Sequence, residues 1–418
     1  MSDVASEDGE KKLGIGANIT WNAVGNFVYL FLQWVLTYVV VRILGYEEAG
    51  VFSLATALGN SFYCVAYYSM RNYQVSDVSN EFSESTYLLS RYATSAVSLV
   101  LCCGFALVAN YPLGTFACIM AFMMFRISEA ISDVYQGMMQ KRSRMDYVGI
   151  SFLLRGVLCF AAFTLVVVVS GNLMMSIAAM AASSYAVVLT YDRAHGLRER
   201  VSNTSMGMVG KLLRVCLPLA VYGFLFNTMV QIPRLFIEGT LGTEQLGYYT
   251  TVAMPVVVVQ VSASFFFAPL VTPMAERINS GDLPGFSSIV KKVLLFIAAL
   301  SVVAAIVFGL LGEPALILAF GESIAPYSYL LPPLVACTVL TGLALFLAAV
   351  IVVVRRLRAL LVSSAVCFLL TLVGSLPFIN AFGLNGASFI LIVSLTIFCI
   401  STAIAIVAEI RQMDNMWV

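Results

Sequence analysis

The chain has 418 residues, of which 61% are hydrophobic and 11% are charged. Soluble domains are about 45–50% apolar and about 25% charged, so this composition excludes a water-soluble, disordered or collagen-like protein. The net charge of +1 gives no electrostatic basis for nucleic-acid binding. A single histidine, His195, and nine cysteines without a CxxC pair predict no metal centre and no cofactor. The composition therefore predicts an integral membrane protein.

Twelve apolar stretches are each long enough to cross a bilayer, which takes about 20 residues of helix. Divided at its charged clusters, the chain places them at 14–41, 49–70, 90–110, 113–137, 147–170, 172–191, 212–237, 246–272, 291–311, 327–352, 359–379 and 384–408. We therefore predict an all-α polytopic membrane protein with about twelve transmembrane helices.

The positive charges predict an orientation. Most of the 23 Lys and Arg residues, Arg71 and Arg91 among them, fall in alternate connections, which places both termini in the cytoplasm. The longest and most charged connection lies near the middle of the chain and predicts a linker between two six-helix bundles. The predicted segments are a cytoplasmic tail at 1–13, bundles at 14–191 and 212–408, a cytoplasmic linker at 192–211 and a cytoplasmic tail at 409–418.

A short repeat supports two related halves. Residues 44–50 read LGYEEAG and follow the first stretch, and residues 241–247 read LGTEQLG and follow the seventh. Six helices between the copies give both the same orientation. Parallel repeats of this kind are a transporter architecture, with the binding site where the repeats meet.

The fourth stretch contains three ionisable residues on one helical face: Arg126, Glu129 and Asp133, with Gln136 and Gln140 continuing the stripe. An ionised group at the bilayer centre costs at least about 2.5–3.5 kcal/mol, so this face must meet protein or water. Two interpretations stay open. The stripe lines a polar cavity, or Arg126 and Glu129 form an intrahelical pair while Asp133 lies among the headgroups. Repulsion between the two carboxylates also suggests proton uptake and hence ion coupling.

Other polar side chains mark three more helices. In the fifth stretch, Arg155 requires either Glu129 or Asp133 as its partner, or an anionic ligand. Asn18, Asn22, Asn26 and Gln33 share one face of the first helix, and Asn227, Gln231, Arg234 and Glu238 follow the seventh. These stripes are either hydrogen-bonding contacts between helices or the walls of an aqueous cleft. Arg234 and Glu238 are also spaced for an i,i+4 ion pair.

Several short motifs resemble one known family. They are RILG at 42–45 with GVFS at 50–53, the second copy at 241–249, YQG at 135–137, QKR at 140–142, RMD at 144–146, the segment 151–156, and Pro233-Arg234. Together they resemble the polysaccharide transporters, the Wzx-type flippases of the MOP exporter superfamily, over the whole chain.

The resemblance implies two six-helix bundles around a central cavity, MOP/MATE-like. It implies movement of an undecaprenyl-pyrophosphate-linked oligosaccharide from the inner to the outer leaflet by alternating access with ion coupling. The pyrophosphate would bind Arg126, Arg155 and Arg234, the cations within the spans. The sugar would meet Asn22, Asn26, Gln33, Asn227 and Gln231, and coupling would use Glu129, Asp133 or Glu238.

The resemblance also implies a bacterial cytoplasmic membrane, with membrane lipid, a polysaccharide polymerase and glycosyltransferases as partners. The alternative is a drug or toxin antiporter of the same superfamily, which typically has a carboxylate in its first helix. This chain has none between Lys12 and Arg42. An enzyme is disfavoured because His195 falls in the predicted linker and pairs with no nucleophile within the spans.

Overall fold

The computed structural model describes residues 15–77, 81–197 and 204–417. The predicted tail at 1–13 lies outside the described residues, as do residues 198–203 of the predicted linker, Val418 and the Asn18 side chain.

The described residues form fifteen α-helices joined by short turns. Their bounds are α1 Ile15–Leu44, α2 Tyr46–Tyr67, α3 Met70–Ser76, α4 Glu84–Val108, α5 Leu113–Lys141, α6 Met145–Ser170, α7 Leu173–Val187, α8 Arg193–Gly196, α9 Met206–Leu241, α10 Thr243–Phe267, α11 Val271–Asn279, α12 Leu283–Phe320, α13 Leu331–Val353, α14 Leu357–Phe382 and α15 Leu384–Trp417. A π-helical turn at Val188–Asp192 joins α7 to α8, and 3₁₀ turns cover Ala268–Leu270 and Glu322–Leu330.

Twelve segments of the described chain are long and apolar enough to cross a membrane, which confirms the predicted number of spans. Their ends differ from the predicted ones. The ninth stretch, predicted at 291–311, lies inside the longer α12, whose start is capped by the Asp282 carboxylate accepting the Gly285 N–H at 2.8 Å. Composition locates the part of a helix that is apolar, whereas capping groups set where the helix begins.

Four spans are not continuous α-helices, and one of these, the tenth, begins with the 3₁₀ turn at Glu322–Leu330. The second breaks between α2 and α3, where Tyr68 and Ser69 both have a φ of 50°. The sixth passes through the π turn, and the eighth through the Ala268–Leu270 turn. Irregular backbone within a membrane span is tolerated where protein groups satisfy its freed polar atoms, and it often marks a functional position.

The chain forms two compact units. The first comprises Met1–Ile43 with Leu58–Gly223, and the second comprises Leu44–Ala57 with Phe224–Val418. The start of α2 therefore belongs to the unit that contains α10. The division into bundles at 14–191 and 212–408 stays a prediction.

The two copies of the repeat have the same local structure in the second unit. Gly45 and Gly242 precede α2 and α10 with φ angles of 88° and 92°, a region that L side chains rarely adopt. Each carbonyl accepts the first hydrogen bond of its helix, from Ala49 at 3.1 Å and from Leu246 at 3.2 Å. The first glycine of each copy thus turns the chain into the next span.

The second glycine of each copy lies where α2 and α10 cross. A Cβ atom on Gly50 would be 1.8 Å from the Thr243 carbonyl oxygen, and one on Gly247 would be 1.9 Å from the Tyr46 carbonyl oxygen. The two contacts are reciprocal, as expected of parallel repeats. Close backbone contact through small residues is how membrane helices pack without a hydrophobic driving force.

The connection between the second and third spans is held by Asp77. Its carboxylate accepts the N–H groups of Glu81 at 2.9 Å and Phe82 at 3.2 Å, and the Tyr87 hydroxyl at 3.2 Å. Burial alone would raise the pKa of Asp77, but these donors and the Lys141 cation hold it below its usual value of 3.8. The connection is therefore held by an ionised carboxylate.

We expect Gly50→Ala to lower the stability of the protein, by about 1–3 kcal/mol, because the added methyl group would overlap the Thr243 carbonyl. The measurement is the melting temperature in detergent. Gly309→Ala is the matched control in the same unit, because a Cβ there meets no atom within 4 Å. Equal melting temperatures for both variants would show that the crossing is not tightly packed.

We expect the stability that Asp77 contributes to be present at neutral pH and lost on acidification. Its folded pKa lies below the unfolded one, so the contribution is complete above about pH 5 and declines as the pH falls through the folded pKa. The difference in melting temperature between the wild type and Asp77→Asn should therefore shrink between pH 7 and pH 3. A difference that stays constant over this range would contradict the assignment.

Candidate functional site

Seven ionisable side chains lie within the spans of the first unit, five of them buried and Arg71 and Arg126 partly exposed, and we call them the buried charge cluster. Each carboxylate contacts at least one arginine, and the four arginines outnumber the three carboxylates. An isolated charge is costly in a low-dielectric interior, so this pairing is what allows the helices to pack. The members are Arg71, Arg91, Arg126, Arg155, Glu129, Asp133 and Asp192.

Asp133 lies between two arginines. Its carboxylate accepts from Arg91 at 2.9 Å and from Arg71 at 3.3 Å, and its side chain is 8% exposed. The interpretation that places Asp133 among the headgroups is therefore wrong. The prediction that Arg91 is a cytoplasmic connection residue is also wrong, because Arg91 lies inside α4 and its side chain is fully buried.

Arg91 also binds the end of α2 at the break in the second span. Its guanidinium donates to the carbonyl oxygens of Ala66, at 2.6 Å, and Tyr67, the last residues of α2. These carbonyls have no helical partner, because the chain turns at Tyr68 and Ser69. A fixed cation thus caps this helix end, where the Ala66 carbonyl oxygen also accepts from the Thr94 hydroxyl at 2.9 Å.

Glu129 has two partners. The Arg126 guanidinium donates to one carboxylate oxygen and the Tyr29 hydroxyl of α1 donates to the other. The predicted intrahelical pair is confirmed. Arg126 also lies over the ring of Tyr63, with its guanidinium carbon 3.8 Å from the ring centroid, so a cation–π contact adds to the pair.

Arg155 pairs with Asp192 at 2.8 Å, not with Glu129 or Asp133 as predicted. Asp192 ends the π turn of the sixth span and also accepts a hydrogen bond from Ser132. Both charged side chains are almost completely buried. The sequence assigned Asp192 to the linker; its position directly after an apolar stretch was the signal that it could be buried.

Two glutamines extend the stripe on α5, as the spacing predicts. Gln136 donates to Ser132 at 3.2 Å and to Ser151 at 3.1 Å, and accepts from Arg71 at 3.1 Å. Gln140 accepts twice from Arg71, at 3.0 and 2.9 Å. The stripe therefore faces protein, and hydrogen bonds connect its two glutamines to Arg71 and, through Ser132, to Asp192.

The predicted amide side chains of α1 form fewer hydrogen bonds than the glutamines of α5. Asn22, Asn26 and Gln33 are partly exposed, and their side chains make no hydrogen bond to any residue that the structure describes. Three side chains of α1 thus have free hydrogen-bonding capacity in a membrane span. Their role as cavity lining stays a prediction.

Arg234 is the exception among the predicted cavity cations. It is half-buried in the seventh span and forms no ion pair or hydrogen bond with the described residues of the chain. Within that same part of the chain Glu238 also has no cationic partner, so the predicted i,i+4 ion pair is wrong. One turn before Arg234, the Gln231 side-chain oxygen is buried without a partner among the described residues.

The three predicted cations therefore differ in kind. Arg126 and Arg155 are each neutralised by a carboxylate in the first unit, whereas Arg234 in the second unit has no anion among the described residues. A membrane cation without a counterion can bind an anionic group without first breaking an ion pair. Ion coupling through Glu129, Asp133 or Glu238 stays a prediction.

Residues 15–278 match the family model described as polysaccharide biosynthesis protein. A capsular polysaccharide biosynthesis protein, CapF of Staphylococcus aureus, is 21% identical over 313 residues, which cover 73% of this chain and 77% of CapF. A multidrug resistance MATE family transporter of the MOP superfamily is similar in its inward-facing conformation, with a TM-score of 0.70, 12% identity and coverage of 94% of this chain and 98% of the transporter. The outward-facing conformation has a TM-score of 0.62, 12% identity and coverage of 95% and 96%.

We expect Asp192→Asn to destabilise the protein by about 3–5 kcal/mol, because Arg155 would remain buried without its counterion. Joint replacement by Arg155→Met and Asp192→Leu should recover most of that stability, since neither charge then remains. Melting temperatures of the single and double variants measure this coupling. Lys211→Gln, which removes the exposed pair with Glu81 in the same unit, is the control and should change little. Additive effects of the two buried substitutions would contradict the pairing.

Proposed function

Because the chain belongs to the polysaccharide biosynthesis protein family of the MOP superfamily, we propose that it moves an oligosaccharide linked to undecaprenyl pyrophosphate from the inner to the outer leaflet. The fold is that of a membrane transporter. Alternating access, the lipid carrier and a bacterial cytoplasmic membrane are parts of this proposal. The observation that carries it is Arg234, a half-buried cation in a membrane span without a protein anion among the described residues.

A pyrophosphate would provide the negative counterion that Arg234 lacks among the described residues. Guanidinium groups bind phosphate oxygens through paired, charge-assisted hydrogen bonds, which are about twice as strong as neutral ones. The Gln231 side chain lies one helical turn away and can orient the same headgroup or its first sugar. The carboxylate partners of Arg126 and Arg155 support a different role for these two residues, which is to hold the helices together.

A sugar chain requires many hydrogen-bonding partners and little charge. The amide side chains of Asn22, Asn26 and Gln33 suit this, because they have no partner among the described residues and donate and accept equally well. The isoprenoid tail requires no polar contact and remains in the bilayer. The polar groups available within the spans thus match the polar part of a lipid-linked oligosaccharide.

We expect Arg234→Gln to slow transport by about tenfold or more, because one charge-assisted hydrogen bond contributes about 1.5–3 kcal/mol. The assay follows a short fluorescent undecaprenyl-pyrophosphate oligosaccharide in liposomes that contain purified protein. The melting temperature should not fall, since Arg234 pairs with none of the described residues. Arg358→Gln is the control, because it removes an exposed arginine at the start of α14.

Two results would contradict the proposal. If Arg234→Gln transports the lipid at the rate of the wild type, the arginine does not bind the headgroup. If the wild type moves no lipid-linked glycan but exports organic cations, the protein is a small-molecule antiporter that shares the fold.

A further inference from the structure

A groove of about 640 Å³ runs along three spans of the first unit. It lies between α4, α5 and the end of the sixth span, all of them segments long and apolar enough to cross a membrane. The side chains that line it are mostly apolar. Two of these side chains, Tyr92 and Leu189, are 48% and 62% exposed, so the groove is open on its outer side. The groove therefore faces the surrounding bilayer. The residues that define it are Leu88, Tyr92, Tyr135, Tyr185, Leu189 and Arg193.

The π turn of the sixth span separates two charges that are adjacent in the sequence. Asp192 is fully buried and binds Arg155 in the buried charge cluster. Arg193 is exposed and lines the groove. At this point in the span, the Asp192 carboxylate is therefore in the protein interior and the Arg193 guanidinium is on the exposed side.

The cation in the groove has no protein counterion in the described part of the chain. Arg193 forms no ion pair with the described residues, and the Tyr185 hydroxyl has no hydrogen-bond partner among them. The groove therefore combines an apolar channel with a positive end.

We propose that this groove is a binding site for an anionic phospholipid of the bilayer. One acyl chain lies along Leu88 and Leu189, and the phosphodiester binds Arg193 with the Tyr185 hydroxyl beside it. Basic pockets between membrane helices favour anionic headgroups, and the stem of an arginine can extend to the headgroup level. A single cation matches the single charge of a phosphodiester better than the larger charge of a pyrophosphate.

The headgroup is tested with delipidated protein and native mass spectrometry. Phosphatidylglycerol is titrated against phosphatidylcholine that has the same acyl chains. The wild type should prefer phosphatidylglycerol, and Arg193→Gln should weaken that binding by about fivefold while leaving phosphatidylcholine unaffected. Arg358→Gln removes the same charge from an exposed position outside the groove and should leave phosphatidylglycerol binding unchanged. If both variants lose phosphatidylglycerol binding equally, the preference comes from general electrostatic attraction, and the proposal is overturned.

The acyl chain is tested by filling the groove. Leu89 lines it and is partly buried, so Leu89→Trp should reduce the binding of both lipids. Leu165→Trp, at a position that is 66% exposed on α6, is the control and should reduce neither. Unchanged binding in Leu89→Trp would place the lipid elsewhere.

A competition experiment identifies the occupant. Undecaprenyl phosphate at equal concentration should not displace phosphatidylglycerol from the wild type. If it does so, and if Arg193→Gln abolishes that displacement, the groove binds the isoprenoid carrier and the phospholipid assignment is wrong.

Discussion

Burial of ionised side chains in a membrane span is the constraint on which the first unit depends. Four arginines and three carboxylates are removed from water there, and each carboxylate contacts an arginine. Because an unpaired charge in this environment is so costly, the helices must pack in the one arrangement that brings these partners together. Two departures from regular helix follow the same requirement. The π turn carries Asp192 to Arg155, and the break in the second span ends on carbonyls that Arg91 caps.

The second unit uses the shared repeat for packing and has an arginine, Arg234, that pairs with no described residue. Gly50 and Gly247 allow α2 and α10 to cross in close backbone contact, and Gly45 and Gly242 turn the chain into those helices. This unit also contains Arg234, which has no anion among the described residues. Both copies of the repeat therefore have the same backbone geometry, whereas Arg234 lies outside the repeat.

This difference separates two kinds of arginine within the spans. An arginine already bound to a carboxylate must break that pair before it can bind a phosphate, and its substitution leaves a buried anion behind. An arginine without a counterion binds at no such cost. Arg155 is of the first kind and Arg234 of the second, although both are arginines within apolar stretches of similar length.

The sequence by itself determined the twelve spans, the family and the polar face of α5, because hydropathy, glycine motifs and helical spacing are local properties. It also offered the Arg126–Glu129 pair as one of two interpretations, because the two residues are three positions apart, and the structure confirmed the pair. Only the tertiary structure decided that Asp192 binds Arg155, that Arg91 is buried, and that Arg234 does not bind Glu238. These outcomes depend on which helices pack together and how far their ends extend, and a charge near the end of an apolar stretch has the same local sequence whether it turns toward water or toward a buried partner.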